Sequence, residues 1–142
     1  MTRARPAALA PVAAVLLAVL AGCGQSVATQ DGAKTTCTDS KSSGDVTIAL
    51  ATTPCPIRGG ESASAHITVK DKSGTTVKNA TVKLVSDMPA MNMHGGEQTA
   101  TAGGDGYDSK IVLGMGGDWN VTVQVNGGSV PATSVQFTLS AK

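Results

Sequence analysis

The stretch WNVTVQV at residues 119–125 alternates apolar and polar side chains at every position. Its apolar members all share one parity: Trp119, Val121, Val123 and Val125. An alternation of period two is typical of a β-strand that buries one face and exposes the other. We therefore predict a half-buried strand here, with the only tryptophan of the chain in the core.

The same alternation recurs in both directions along the chain, and no stretch shows the 3.6-residue period of an amphipathic helix. Further alternating segments begin at Val46, Ala63, Val77, Ile111 and Val135. Turn signals rich in Gly, Asn and Asp separate these segments. Six or seven short strands at this spacing predict an all-β fold, an immunoglobulin-like antiparallel β-sandwich of about seven strands over residues 45–142.

The N-terminus has the layout of an export signal. Arg3 and Arg5 precede an apolar run at residues 7–20, and small residues then lead to Cys23. This order resembles the bacterial lipobox, in which the cysteine thiol accepts a lipid and becomes the first residue after cleavage. We predict a lipoprotein signal peptide at residues 1–22 and lipidation of Cys23. The alternative is an ordinary cleaved signal with an incidental cysteine.

Residues 24–44 are polar and small, which is typical of a flexible linker. We predict that residues 23–44 form a lipidated tether that holds the domain at the extracytoplasmic face of the cell membrane. Without residues 1–22 the chain has nine basic and ten acidic residues. This balance offers no basic patch for nucleic acid, so the predicted membrane contact depends on the lipid.

Two cysteines remain after Cys23, and their spacing is not that of a CxxC motif. Cys37 and Cys55 are an even number in a chain predicted to reach an oxidising compartment, which favours a disulfide between them. A dithiol site for a metal or for redox chemistry is the alternative.

Motifs of catalysis are missing from the sequence: it has no GxSxG, HExxH, P-loop or CxxC pattern. Asp105 and Asp108 flank a Gly-Tyr pair in a glycine-rich segment, where acidic residues are typical of a turn. His66 falls on the polar face of its predicted strand, so we expect a solvated side chain and not a metal ligand. We therefore expect a binding protein and no enzymatic activity.

One segment concentrates soft donor atoms. The stretch MPAMNMH at residues 88–94 holds three of the four internal methionines, followed at once by His94. Thioether sulfur favours Cu(I) over hard cations and needs no deprotonation, and imidazole adds a second ligand type. The alternative is that these methionines simply fill irregular gaps at the edge of the core.

The neighbours of this segment predict its place in the fold. Pro89 cannot donate a ladder hydrogen bond, so a strand should end at Met88, and Gly95 and Gly96 should end the segment on its other side. Met88 has the inward parity of its strand, and Met115 ends another row predicted to face inward. We expect the methionines to meet at one end of the sandwich.

Several pieces in a fixed order resemble the YtkA-like domain, a family related to FixH. They are a strand at 80–84, MPAM at 88–91, GY at 106–107 and MGGDWNV at 115–121. The resemblance implies a small exported β-sandwich associated with copper handling around cytochrome oxidase assembly. Carried onto this sequence, it implies copper ligands at Met88, Met91 and Met115, with Met93 and His94 as local additions.

The leading hypothesis is a membrane-anchored copper-binding protein that passes Cu(I) to a cytochrome oxidase subunit or another exported cuproprotein. One alternative is a non-metal interaction module whose methionine-rich loop contacts a membrane protein. Another is an accessory to copper efflux or a copper buffer.

Overall fold

The computed structural model describes residues 35–142, which form eight strands joined by short connections. In chain order these are β1 (Cys37–Ser43), β2 (Val46–Thr53), β3 (Ser62–Lys70), β4 (Ala80–Met88), β5 (Met93–Gly103), β6 (Gly106–Val112), β7 (Gly117–Gly127) and β8 (Thr133–Ala141). A 3-10 turn, Pro89–Met91, separates β4 from β5. No helix among these residues is long and apolar enough to cross a membrane.

All neighbouring strands are antiparallel, and their spatial order is β1-β2-β3-β6-β5-β4-β7-β8. Strand β5 joins the two layers, because its first part pairs with β4 and its last three residues pair with β6. The two ends of the order also approach each other, where Lys41 Nζ on β1 donates to the Gln136 carbonyl on β8 over 2.6 Å. The predicted all-β antiparallel sandwich is confirmed, with eight strands in place of about seven.

The core follows the alternation seen in the sequence. The inward residues of β7 are fully buried, as predicted for Trp119, and those of β2 are buried from Val46 to Thr52. Trp119 and Phe137 are the largest fully buried side chains among the described residues. Burial of each such side chain contributes about 1.5–3 kcal/mol, so these two aromatic residues, with the buried Tyr107, anchor a core built mainly from aliphatic side chains.

A buried tyrosine fixes the start of β4. The Tyr107 hydroxyl donates to the Val77 carbonyl and accepts from the Ala80 amide, each over 3.0 Å. Val77 lies in the connection that leads from β3 into β4, and Ala80 is the first residue of β4. Tyr107 on β6 therefore positions the strand that carries Met88 at its far end.

Strand β1 corrects the predicted extent of the tether. Residues 24–44 were expected to be a flexible linker, yet Cys37–Ser43 pair along their whole length with β2. Six of these seven residues are exposed and none is in the core. Because none of them has to be apolar, the strand has the polar composition that is typical of a linker. The strand exists because its backbone completes the ladder of β2, which a hydrophobic pattern does not reveal.

Cys37 and Cys55 form a disulfide, with their Cα atoms 5.5 Å apart. The predicted disulfide is therefore confirmed, and it ties the first residue of β1 to the connection after β2. The predicted signal peptide at residues 1–22, the lipidation of Cys23 and the remainder of the tether lie outside the described residues.

Candidate functional site

The methionine-rich segment forms the corner between β4 and β5. As predicted, β4 ends at Met88, the residue before Pro89, and Asn92 then adopts a left-handed conformation with φ of 48°. The Asn92 amide donates to the Pro89 carbonyl over 3.1 Å, which closes the turn. The chain reverses, and Met93 begins β5 directly opposite Met88 in the ladder.

The four internal methionines differ sharply in exposure. Met88 is 4% exposed and belongs to the core, as its parity predicted. Met91 is 60%, Met115 is 38% and Met93 is 37% exposed. Apart from Val112, these three are the only large hydrophobic side chains exposed within the described residues. Exposed apolar side chains that cluster on a surface indicate a contact with a ligand or a partner, and Met91 and Met93 are close in sequence at one corner of the fold.

Met115 lies in the connection between β6 and β7. Its expected inward orientation is wrong: the row of buried residues ends at Leu113, and Met115 is partly exposed. Its carbonyl accepts a hydrogen bond from the Trp119 indole Nε1 over 3.0 Å, so the backbone of this connection is held to the core. The strand periodicity fails here because residues 113–116 have left β6.

The side chain of Met88 reaches the start of β7. A Cβ added to Gly117 would lie 2.5 Å from Met88 Cε, so the two are in close contact. Gly117 is two residues from Met115, which places the Met115 backbone at the same end of the sandwich as the β4–β5 corner. We call this region the methionine end and define it by Met88, Met91, Met93 and Met115.

Gly95 and Gly96 do not end the segment, and that expectation is wrong. Both lie within β5, where the register with β4 shifts between Ser86 and Asp87. A Cβ at Gly95 would lie 2.7 Å from Trp119 Cζ3 and 3.0 Å from Ser86 Cβ. Glycine is therefore required because the start of β5 packs directly over the indole ring.

His94 is held on the opposite face of the sheet from Met88. It pairs with Asp87 in the β4–β5 ladder, and its Nδ1 donates to Asp87 Oδ1 over 2.5 Å. Since successive residues of a strand point to opposite faces, Asp87 and His94 face away from the Met88–Met93 pair. The His94 side chain is 84% exposed, and a carboxylate on one ring nitrogen orients the other toward solvent.

The structure thus brings Met88, Met93 and the Met115 backbone to one end, with Met91 on the turn between the first two. It sets His94 beside them on the other face. Within residues 35–142 no group of three or more His, Cys, Asp or Glu side chains is arranged to hold a metal ion. The methionine end offers thioether sulfur as a soft donor atom.

A second cluster was not recognised from the sequence. His66 Nδ1 lies 2.7 Å from Asp108 Oδ1, and His66 Nε2 lies 3.1 Å from Asp105 Oδ1. Hydrogen bonding to Asp108 is the main cause that raises the pKa of His66, and Asp105 adds to it against the opposing effect of burial. The ladder places His66 opposite Asp108, and only this register, which no local motif specifies, would have predicted the cluster.

The YtkA-like family model matches residues 40–124, which is more than half of the chain. The chain belongs to the YtkA-like family. The match begins inside β1 and ends inside β7, so it covers the whole β4–β5 corner and Met115. The relation to FixH stays a prediction.

No curated protein sequence matches this YtkA-like chain. The solved structures that share its fold include two of FetP from uropathogenic Escherichia coli strain F11. The as-isolated form is 12% identical with a TM-score of 0.56, over 75% of this chain and 95% of FetP. A variant described as copper-bound is 9% identical with the same TM-score, over 75% of this chain and 97% of FetP. At this identity the likeness establishes the fold.

Proposed function

We propose that this YtkA-like domain binds Cu(I) as a cargo at its methionine end. The observation that carries the proposal is the direct pairing of Met88 with Met93 across the β4–β5 ladder, with the exposed Met91 on the turn between them. Thioether sulfur prefers soft monovalent ions, and copper in its Cu(I) state is the biological ion of that kind. Because a thioether has no proton to lose, such a site would work at any physiological pH.

Two further observations support copper over other soft metal ions. The family resemblance implies copper ligands at Met88, Met91 and Met115, three residues that lie at the same end of the fold. FetP shares the fold and has a structure described as copper-bound. His94 would be a peripheral ligand, because it lies on the other face of the sheet and can approach the ion only from the edge of β5.

The proposed location is the extracytoplasmic face of the membrane, with Cys23 as the lipid anchor. The Cys37–Cys55 disulfide supports an oxidising compartment, where such bonds persist. In that compartment a thiolate site would be open to oxidation to a disulfide, whereas a thioether site would not. The choice of methionine therefore agrees with the proposed location.

The proposed role is to receive Cu(I) and pass it to a cytochrome oxidase subunit or another exported cuproprotein. The three exposed methionines would let a recipient approach the ion directly, and neutral thioethers release it more readily than thiolates do. The proposal is one of binding and transfer, without a catalytic step.

The test is a titration with Cu(I) in competition with a chromophoric Cu(I) chelator, and with Ag(I) as a redox-inert substitute. Trp119 is the only tryptophan and lies against the methionine end, so its fluorescence reports binding there. The Met91→Leu, Met93→Leu, Met115→Leu triple variant keeps the apolar volume and removes three sulfur atoms. We expect an affinity loss of about tenfold or more, equivalent to about 1.4 kcal/mol.

Val112→Leu is the matched control, because Val112 is the other exposed large hydrophobic residue among those described and has no sulfur. Its Cu(I) affinity should equal that of the wild type. Equal affinity of the triple variant and the wild type would refute the proposal.

The exposed apolar surface also favours a second candidate, an interaction module that contacts a membrane protein through the methionine end. In that case the triple leucine variant, which stays apolar, would retain partner binding and the wild type would show no affinity for Cu(I). A variant carrying Met91→Glu would then lose the partner.

A further inference from the structure

We propose that Met91, Met93 and Met115 are a modification site, oxidised to methionine sulfoxide by peroxide-class oxidants, and that this oxidation turns off soft-metal binding. The second half rests on the proposed function, while the first half stands on the exposure of the sulfur-bearing side chains alone.

The exposure of the four methionines predicts an order of reaction. Met91 is 60% exposed and lies on a turn at the tip of the β4–β5 corner, so it should react first. Met115 and Met93 follow at 38% and 37%. Met88 is 4% exposed and should react last.

Other sulfur chemistry does not compete within residues 35–142. The two cysteines in that part of the chain are joined in a disulfide, so they offer no thiolate to an oxidant. Thiolates are normally the first protein groups to react with peroxide, and methionine follows. In the described domain the exposed thioethers are therefore the first sulfur groups available for oxidation.

The step is a two-electron oxygen transfer. A lone pair on the thioether sulfur attacks one oxygen of hydrogen peroxide, the S–O bond forms, the O–O bond breaks, and water leaves after proton transfer to the departing hydroxide. Sulfur is oxidised and peroxide is reduced. The product carries a polar sulfoxide oxygen, and its electron-poor sulfur, which keeps only one lone pair, is a much weaker soft donor for Cu(I).

Met88 is protected by packing as well as by burial. Its terminal methyl group lies against Gly117, where even a Cβ would come within 2.5 Å. An oxygen added to the neighbouring sulfur would have to enter the same packed region. Partial oxidation should therefore leave the core intact, with one thioether unmodified.

Metal and oxidant would compete for the same electrons. A metal ion bound to the thioether sulfur draws electron density from it and lowers its reactivity toward peroxide. Each methionine that binds the ion should therefore be protected from oxidation. The extent of protection, measured residue by residue, would identify the ligands. Trp119 adds an independent signal, because Met115 provides the carbonyl that accepts its indole hydrogen bond.

The experiment treats the full chain, purified in detergent, with increasing hydrogen peroxide and measures sulfoxide at each methionine by peptide mass spectrometry. We expect Met91 to be modified first and Met88 last, with unchanged far-ultraviolet circular dichroism. Oxidation of Met88 before or together with Met91 would overturn the modification site.

A second arm repeats the reaction with saturating Ag(I), and a third measures Ag(I) affinity of the protein oxidised at its three exposed methionines. We expect at least about a tenfold slower oxidation of the ligand methionines and a comparable loss of affinity. If the order holds but wild-type protein binds no Ag(I), the modification site stands and the proposed function fails. If wild-type protein binds Ag(I) and oxidation leaves that affinity unchanged, the regulatory half fails and the proposed function stands.

Discussion

Met88 and Met93 face each other directly across the β4–β5 ladder, one at the end of a strand and the other at the start of the next. Met88 is buried with the core, whereas Met93 is 37% exposed. A soft ion held between them would be fixed by a rigid inner ligand and open to exchange on the outer side. Such a division would suit the proposed site, which has to both hold and release its ion.

Replacement of Met88 tests whether the buried methionine contributes to ion binding as well as to the core. Met88→Leu conserves the volume and apolar character of the side chain, so we expect a stability loss of less than about 1.5 kcal/mol. The same change removes the inner sulfur, and Cu(I) affinity should fall by about tenfold or more. Chemical denaturation and chelator competition measure the two effects separately. A Cu(I) affinity equal to that of the wild type would show that Met88 is only a core residue.

The packing of Gly95 over Trp119 predicts a sharp steric limit. In Gly95→Ala the new methyl group would lie 2.7 Å from the indole ring and 3.0 Å from Ser86 Cβ, and neither neighbour is a flexible chain end. Overpacking of this kind costs about 1–3 kcal/mol, so thermal unfolding should shift to lower temperature.

Gly114→Ala is the matched control for that variant. Its new methyl group would lie 4.0 Å from Trp119 Cη2, an ordinary van der Waals contact with the same indole ring. We expect little change in its unfolding temperature. If both variants unfold at the wild-type temperature, the start of β5 has more freedom than its contact with Trp119 implies.

The alternation of apolar residues predicted most of the sandwich, because the side chains that form the core are the ones that show the pattern. Strand β7 and the burial of Trp119 followed from it directly. Strands β1 and β5 did not, since both have mainly exposed side chains and exist through backbone pairing to a neighbour. A strand of this kind depends on which edge it completes, and a single sequence does not contain that information.

The candidate site was predicted in part for the same reason. The end of β4 before Pro89 and the inward position of Met88 followed from local rules. The opposition of Met88 and Met93, and the separation of His94 from both, depend on a register shift at Ser86 and Asp87. That shift accommodates Gly95 and Gly96 inside β5. From the sequence alone, these two glycines indicated the end of the methionine-rich segment.

The pairing of His66 with two carboxylates predicts a pH dependence of stability. Its raised folded-state pKa means that the contribution of the cluster is fully present below the ordinary value of 6.5 and is lost as pH rises through the folded-state pKa. His66→Gln should therefore lose more stability, relative to the wild type, at about pH 5.5 than at about pH 8.5.

Two further variants separate the arms of this cluster. Asp108→Asn should lower the pKa of His66 more than Asp105→Asn does, because the bond to Asp108 is the larger cause of the shift. Titration of the His66 ring protons by nuclear magnetic resonance measures both. The interpretation fails if His66→Gln has the same effect at both pH values, or if Asp105→Asn shifts the pKa of His66 more than Asp108→Asn.

The disulfide has a specific mechanical role, since β1 places no side chain in the core. Three features hold β1: its ladder with β2, the Cys37–Cys55 bond at its first residue and the Lys41 contact with β8. The two cysteines are 18 residues apart in sequence. Removal of a disulfide that closes a loop of this size costs about 3 kcal/mol of stability by chain entropy. We expect that loss for the Cys37→Ser, Cys55→Ser double variant in chemical denaturation.

Loss of the disulfide should increase local opening of β1 more than it increases unfolding of the whole domain. Amides of β1 should exchange with solvent faster in the double variant, while those of β7 should change only with overall stability. Lys41→Met is the companion variant, because it removes the contact at the middle of β1 and leaves the bond in place. The predicted lipid anchor lies on the N-terminal side of β1, so any pull from the membrane would reach the domain through this strand. Equal exchange of β1 with and without the disulfide would show that the β2 ladder and the Lys41 contact hold the strand without the bond.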